Sequence, residues 1–262
     1  TYPGGLVVGY SYDLPNRVQA VTWDSQSISY QYDAAGNPLK IVRPNSTESI
    51  YAFDATNRIV EIDHQQGATS FAKMTYTRDA VGNIVRETNT LPVSPSVSGM
   101  TMAAHYTDAN QIDTWRNHGY TYDADGNITQ IKDIFTDEVS WSAVYDQQNR
   151  LTQLTRGAAT ATYTYDGAGN RTKAAVGSTA RNYHYDHQGR LMFETDGSGT
   201  ISVHYIYAGE RIAALKKSGS SYFYHFDKTG NTLALTDAAG EIVNAYAYTP
   251  FGQGAGSSGT LY

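Results

Sequence analysis

Aspartates and histidines are the residues of this sequence that could bind a metal or transfer a proton. Asp123-Ala-Asp125-Gly126-Asn127 resembles the start of a calcium-binding loop. A complete loop of that kind needs further spaced oxygen ligands and a Glu at its twelfth position. Ile134 stands at that position, so the segment is interpreted as a turn without a metal.

Three histidines follow one another at intervals of about 20 residues, each directly before an aromatic residue: His184, His204 and His225. On stacked hairpins they could form a ladder, and three imidazoles can bind zinc at about 2.0–2.1 Å. Neighbouring strands, however, are about 4.8 Å apart, and equivalent strands of successive hairpins are twice as far. We therefore expect solvated or lumen-facing histidines, no metal site and no cofactor.

No catalytic constellation is recognised. The sequence has no Gly-x-Ser-x-Gly elbow, no His-Glu-x-x-His and no phosphate-binding glycine loop. Many of the carboxylates instead belong to copies of one repeated phrase, Tyr-x-Tyr-Asp-x-x-Gly. We expect no enzyme and assign no catalytic residue.

The repeated phrase returns at intervals near 20 residues, which is typical of a repeat architecture. Its aromatics stand three and one residues before Asp: Tyr30 and Tyr32, Tyr120 and Tyr122, Tyr163 and Tyr165, Tyr183 and Tyr185. Its corner residues are Asp33 and Gly36, Asp123 and Gly126, Asp166 and Gly169, Asp186 and Gly189, and Asp227 and Gly230. Less regular copies contain Asp13, Asp54, Asp79 and Asp146.

Each copy has the pattern of one β-hairpin. Aromatics two residues apart share one face of a strand, and the Asp side chain can accept backbone N–H bonds inside the turn that follows. Gly three residues later suits a left-handed backbone position. Asn replaces that Gly at Asn16, Asn57 and Asn149, and Asn is the next residue that tolerates this conformation.

The residue between the two aromatics points to the opposite face, and it is mixed and mostly small or polar: Gln31, Ala52, Thr77, Thr121, Thr164, His184 and His225. An antiparallel sheet with one packed and one wetted face has this alternation. We expect a single-layer wall in which the tyrosine rows supply much of the burial. Its open edges could pair with a second copy.

These residues carry a family resemblance. Tyr-x-Tyr-Asp-x-x-Gly-Asn/Arg resembles the signature of YD repeats, found in bacterial Rhs proteins, the C component of ABC toxin complexes, wall-associated proteins and teneurins. The resemblance extends from about Tyr10 to Tyr248. It implies an all-β fold, a continuous antiparallel sheet of hairpins that curves into an arc of a spiral shell. In the family the shell commonly encloses a toxic C-terminal segment.

The domain organisation follows from this resemblance. We expect one repeat array over residues 1–250, with an inserted Pro/Ser/Thr-rich loop at about 88–104. Tyr246-Ala-Tyr248-Thr-Pro250-Phe251-Gly252 resembles the opening of the Rhs-associated core, so 251–262 would be its truncated, flexible Gly/Ser-rich start. The aspartate-based self-cleavage of the family lies beyond an Asp-Pro motif that this sequence lacks, so it is not carried over.

Composition narrows the partners. The net charge of −6 gives no basic footprint for nucleic acid, and no segment approaches the roughly 18 apolar residues of a membrane span. Cysteine is absent, which excludes disulfides and thiolate metal sites. The chain starts at Thr1 without a signal peptide, so we expect a piece of a longer polypeptide that is secreted or displayed on the cell surface by a bacterial export system.

Two functions remain open from the sequence. One is structural: a wall segment whose partners are the rest of the parent polypeptide and its enclosed C-terminal domain. The other is an extracellular binding or adhesion module for carbohydrate or protein, in which exposed tyrosines and Trp23, Trp115 and Trp141 would stack on sugar rings.

Overall fold

The computed structural model describes residues 2–95, 104–249, 252, 254–259 and 261. It consists of antiparallel β-hairpins joined in sequence order, and its described helical structure is one short 3-10 turn, Pro3–Gly5. The expected all-β hairpin fold is confirmed. No helix among the described residues has the length and apolar character needed to cross a membrane.

The chain divides into two compact units. Unit 1 contains Thr1–Val97 and Val203–Tyr262, and unit 2 contains Ser98–Ser202.

Unit 1 begins with eight strands, each paired with the next along the chain. They are β1 (Val8–Tyr12), β2 (Val18–Trp23), β3 (Gln26–Tyr32), β4 (Pro38–Val42), β5 (Thr47–Phe53), β6 (Ile59–Gln66), β7 (Thr69–Arg78) and β8 (Ile84–Thr90).

Unit 2 contains ten strands in the same consecutive order. They are β9 (Ala104–Tyr106), β10 (Ile112–Trp115), β11 (His118–Tyr122), β12 (Ile128–Asp133), β13 (Val139–Tyr145), β14 (Leu151–Arg156), β15 (Ala159–Tyr165), β16 (Arg171–Val176), β17 (Thr179–Tyr185) and β18 (Leu191–Asp196).

Six further strands return to unit 1. They are β19 (Ile201–Ala208), β20 (Arg211–Lys217), β21 (Ser220–Phe226), β22 (Thr232–Thr236), β23 (Ile242–Tyr248) and β24 (Gly254–Gly259).

Two kinds of turn alternate along these runs because successive turns lie at opposite ends of the strands. One end carries the corners of the Tyr-Asp phrase, as at Asp33 between β3 and β4. The other end mostly carries short turns with a left-handed residue, such as Gly157 between β14 and β15. The Tyr-Asp phrase therefore marks one end of the ribbon only, which accounts for a period of two strands.

Unit 1 has two packed layers. Strands β1–β8 face β19–β24, and side chains from both runs are removed from solvent, among them Trp23, Ile62 and Met74 from the first run and Leu215 and Phe223 from the second. Trp23 and Phe223 lie with ring centroids 6.2 Å apart. The expectation of a single-layer wall is therefore wrong for unit 1, because the ribbon supplies its own second layer.

Unit 2 has no such core among its described residues. Ala143 is its one buried hydrophobic side chain there, and most others on its patterned face are half-buried. This run matches the expected thin wall, with burial supplied by neighbouring hairpins of the same sheet.

Two segments predicted to be irregular contain strand residues. Strand β8 extends to Thr90 and residues 91–95 are irregular, while the rest of the predicted loop at 88–104 lies outside the described residues up to Ala104. The Gly/Ser-rich segment expected to be flexible instead forms β24, which pairs with β23 from Asn244↔Gly259 to Tyr248↔Gly254. Small residues allow this approach because a Cβ at Gly256 would contact Val93 at 2.9 Å.

Candidate functional site

The aspartate corner is a closed set of hydrogen bonds. The backbone N–H of Asp33 donates to Asn37 O at 3.0 Å, and the N–H of Gly36 donates to Asp33 O at 3.1 Å. The carboxylate accepts the backbone N–H of Asn37 at 2.8 Å and its Nδ2 at 2.8 Å. Hydrogen bonding by the Asn37 side chain lowers the pKa of Asp33 below its usual range, so this carboxylate is a turn ligand rather than a proton donor.

The residue four places after Asp explains the last letter of the repeat. In some corners it is Asn, whose Nδ2 donates to Asp Oδ2, and in others it is Arg, whose Nε donates to the same oxygen. The Asn form occurs at Asn37, Asn83, Asn127, Asn170 and Asn231, and the Arg form at Arg17, Arg58, Arg150 and Arg190. The sequence pattern contained this signal, but its role was not inferred from the sequence.

The predicted left-handed position is observed at the third residue after Asp. Gly36, Gly126, Gly169, Gly189 and Gly230 have φ between 78° and 93°, and Asn16, Asn57 and Asn149 have φ between 58° and 66°. Tyr106-Thr-Asp108-Ala-Asn110 is a degenerate copy of the phrase, and it also forms a corner, with Thr107 in the Asp position and Asn110 at φ 60°. Arg43 occupies an equivalent position between β4 and β5.

Neighbouring corners are linked to one another. Arg150 Nη1 donates to Asp166 O at 3.2 Å, and Arg17 Nη1 makes the same bond to Asp33 O at 3.1 Å. Where Asn stands in the fourth place, Asn127 Nδ2 reaches Asn149 Oδ1 at 2.8 Å. Hydrogen bonds of this kind join the corners from Asp13 through Asp33 to Asp54 in unit 1 and from Asp123 through Asp146 to Asp166 in unit 2.

The repeat tyrosines connect successive hairpins. The hydroxyl of the tyrosine before Asp donates to a backbone carbonyl on the preceding hairpin, as from Tyr165 to Leu151 O at 2.7 Å and from Tyr122 to Ile112 O at 2.7 Å. Tyr32 and Tyr185 make the same kind of bond. All eight repeat tyrosines are half-buried. They are therefore packing and positioning groups between hairpins.

The carboxylate of the candidate calcium-binding turn is occupied by hydrogen bonds within that turn. The Asp123 carboxylate is used by the backbone N–H groups of Asp125 and Asn127 and by Asn127 Nδ2. Across the described part of the chain, no group of three or more His, Asp or Glu side chains is arranged to hold a metal.

The histidine expectation is wrong for His225. This side chain is fully buried in unit 1, where its ring lies 5.2 Å from that of His64, centroid to centroid. His64 is also fully buried, and it was not recognised in the sequence because it lies outside the Tyr-Asp phrase. His204 behaves differently, since its Nε2 lies 3.0 Å from Pro3 O at a half-buried position, and His184 in unit 2 stacks on Phe193 with centroids 4.2 Å apart.

The tryptophans do not form a common sugar-binding surface. Trp23 is 1% exposed, and its indole Nε1 donates to Ser221 Oγ at 3.2 Å. It is a core residue of unit 1 and is not available for stacking on a carbohydrate. Trp115 and Trp141 are half-buried on unit 2.

Comparison with known families tests the shell interpretation. Residues 45–212 match the model of the teneurin YD-shell. The chain belongs to the teneurin YD-shell family. No curated protein matches this sequence.

Solved structures show the same fold as this YD-shell chain. A crystal structure of TcdB2–TccC3–Cdc42 matches with a TM-score of 0.63 and 15% identity over 97% of this chain and 17% of that chain. The Tc holotoxin pore of Photorhabdus luminescens with a mutated TccC3 matches with a TM-score of 0.61 and 15% identity over 99% of this chain and 17% of that one. This chain spans about a sixth of the length of those chains. Together the family and the fold give this YD-shell chain a structural role in a shell.

Proposed function

We propose that this chain is a wall segment of a hollow YD shell that encloses a C-terminal toxin or effector segment of the same parent polypeptide. The observation that carries the proposal is the match to the YD-shell model across residues 45–212. The matched residues form antiparallel strands that pair in sequence order within each of two sheets. A shell of this kind acts outside the producing cell, so we propose a secreted or surface-displayed bacterial parent.

The physical basis is the use of polar groups along the ribbon. The corner carboxylates accept hydrogen bonds within their own turns, and the hydroxyl of the tyrosine directly before Asp donates to the preceding hairpin. Polar groups that are already hydrogen-bonded within the wall are not available to react with the enclosed segment. The proposed role is therefore structural and requires no catalytic group.

Protease accessibility in the parent protein tests enclosure. One variant carries a protease site in the C-terminal segment, and a second carries the same site in the exposed turn at Phe135–Asp137. We expect rapid cleavage of the turn site and slow cleavage of the C-terminal site until the shell is opened with denaturant. Equal cleavage rates at the two sites in the folded parent would refute enclosure.

A further inference from the structure

A cavity of about 310 Å³ lies in unit 1 between the two packed layers. Its wall is largely aromatic and aliphatic, with Tyr30, Tyr51 and Phe53 from the first run of strands and Tyr224 and Phe226 from the second. Its volume is at the lower end of the range for small-molecule sites, and an apolar cavity with a few polar groups is the usual form of such sites.

Arg43 places a positive charge in the wall of this cavity. Arg43 is 5% exposed. Its Nη1 donates to Ser49 Oγ and its Nη2 donates to Tyr224 O, each at 2.9 Å. Both acceptors are neutral, and two of the five guanidinium N–H groups are used by them. No carboxylate of the described residues forms an ion pair with Arg43.

A buried charge without a counter-ion is costly, since taking an unpaired ion out of water is strongly unfavourable. The hydrogen bonds to Ser49 and Tyr224 satisfy two N–H groups of Arg43 but leave its positive charge without a counter-ion. An anion in the cavity would remove this cost. Arg is the residue best suited to that task because its planar fork pairs with carboxylate through two parallel bonds.

Two of the three other charged side chains around the cavity are positive, like Arg43. Arg211 and Lys228 line it together with Asp227, the single carboxylate among its described lining residues. Asp227 is occupied by its own turn, where it accepts bonds from Thr229 and Asn231. The Arg211 guanidinium lies 5.5 Å from the centre of the Phe226 ring. The cavity is thus cationic within an aromatic wall.

Neutral phenols also line the cavity. Burial raises the pKa of both Tyr30 and Tyr51. Their phenols therefore remain protonated near neutral pH and do not neutralise the positive charge of Arg43. Aromatic side chains of this kind pack well against another ring in offset or edge-to-face arrangements.

We propose that this cavity is a binding site for a small aromatic carboxylate, with the ligand carboxylate on Arg43 and its ring among the aromatic side chains of the wall. The inference goes beyond the shell role, since a wall segment needs no small ligand.

Binding is tested on the full chain with hydrocinnamate as the probe. Its amide, hydrocinnamamide, has the same ring without the charge, and propionate has the carboxylate without the ring. Titration calorimetry and ligand-observed NMR should show hydrocinnamate binding in the millimolar range or tighter. The amide and propionate should each bind at least about tenfold more weakly, as expected for loss of a charge-assisted bond or of ring burial.

Arg43→Gln tests the assigned residue, because the amide can still donate to Ser49 or Tyr224 O while the charge is lost. It should abolish the preference for acid over amide. Arg86→Gln is the matched control, since it removes the same charge from exposed strand β8 and Arg86 does not line the cavity. Circular dichroism establishes that each variant is folded.

Three results would overturn the proposal: no hydrocinnamate binding, equal binding of acid and amide, or a folded Arg43→Gln protein that retains the tenfold preference. Propionate binding as tightly as hydrocinnamate would refute the aromatic assignment.

If Arg43→Gln does not fold, exposed Arg211 provides the second variant. Arg211→Gln should weaken hydrocinnamate binding several-fold and leave amide binding unchanged, and an unchanged affinity for both would count against the site.

Discussion

At the scale of the residue, the corner aspartate stabilises the conformation of the turn through its hydrogen bonds. Asp166 accepts the backbone N–H groups of Ala168 and Asn170 together with Asn170 Nδ2. These bonds hold a four-residue turn that ends in a left-handed residue, Gly169, at φ 90°. The carboxylate supplies the bonds and the glycine supplies the backbone freedom, so neither can be replaced by the other.

The glycine part of this account is tested by a pair of substitutions in one turn. In Gly169→Val, the added Cβ would meet no atom within 4 Å, so backbone strain is the dominant effect. Strain of a β-branched residue in this region costs about 1–3 kcal/mol. We expect a loss of that size in the free energy of unfolding, measured by denaturant titration.

Gly167→Val is the control for this pair. Gly167 lies in the same corner, has no positive φ and also has open space around its Cβ. Equal losses from the two substitutions would show that side-chain bulk, and not φ, determines the effect.

The buried histidine pair determines how unit 1 responds to acid. His64 Nε2 lies 3.0 Å from Phe226 O, and its Nδ1 lies 2.7 Å from Ser49 Oγ. Because a carbonyl can only accept, Nε2 carries the proton and the neutral ring accepts at Nδ1. Burial, together with the charge of Arg43, lowers the pKa of His64 to about 3, with Asp227 acting in the opposite direction. The same two causes and His64 itself lower the pKa of His225.

A loss of stability in mild acid follows from these shifts. Below pH 6.5 the unfolded chain protonates His64 while the folded chain does not until about pH 3, so the free energy of unfolding falls with pH across that window. The slope is about 1.4 kcal/mol per pH unit for each such histidine. Denaturant titrations at several pH values should show a smaller slope for His64→Gln than for the unchanged chain.

His187→Gln is the control for the pH series, because His187 is exposed on an unrelated corner. Its variant should keep the full slope. A chain that is equally stable at neutral and mildly acidic pH would contradict the assignment of neutral, buried histidines.

At the scale of the element, each hairpin is attached to the preceding one by its tyrosine pair. The tyrosine nearer to Asp makes a hydroxyl bond to the preceding hairpin, and in two places an Arg guanidinium lies over its ring, as for Arg150 at 4.9 Å from the Tyr165 centroid. The half-buried rings of unit 2 replace a core there. Each ring therefore contributes less to the free energy of unfolding than a fully buried core residue would. The contributions are distributed along the ribbon.

Tyr165→Phe isolates the contact between hairpins. It removes the bond to Leu151 O and keeps the ring, so we expect a loss of about 0.5–1.5 kcal/mol in the free energy of unfolding. Tyr163→Phe is the matched control, since its hydroxyl makes no hydrogen bond to the described residues. Equal effects of the two substitutions would assign the role to the ring alone.

At the scale of the whole molecule, the two units are stabilised differently. Unit 1 buries large side chains between two layers, whereas unit 2 relies on contacts within one sheet. Opening of a protein requires least free energy where few apolar contacts are buried. Amides in the central strands of unit 1 should therefore exchange with deuterium more slowly than those in the central strands of unit 2.

Core substitutions quantify this difference. Phe223 is fully buried, and Phe223→Ala should cost about 3–5 kcal/mol. Val144 on unit 2 is 52% exposed, and Val144→Ala should cost well under about 1 kcal/mol. Hydrogen exchange of Phe223→Ala should show faster exchange throughout unit 1, and a response confined to strand β21 would show that the two layers are not one cooperative core.

The sequence by itself determined the hairpin, its corner and its period. These depend on neighbours within about ten residues: aromatics two apart, an acid that caps the turn, and Gly or Asn where φ must be positive. Asp33, Gly36 and Tyr32 could be assigned from local spacing alone. The corner at Thr107 shows that even a worn copy keeps the geometry.

Only the tertiary structure decided which hairpins face one another. The burial of Trp23, His64 and His225 and the cavity around Arg43 arise where strands far apart in sequence pack together. The bond from His64 to Phe226 spans 162 positions, and that from Trp23 to Ser221 spans 198. Periodicity defines the two faces of a strand but carries no information about what covers them. A repeat that is nearly the same in every copy specifies local shape, and the pairing of distant layers depends on the few positions where the copies differ.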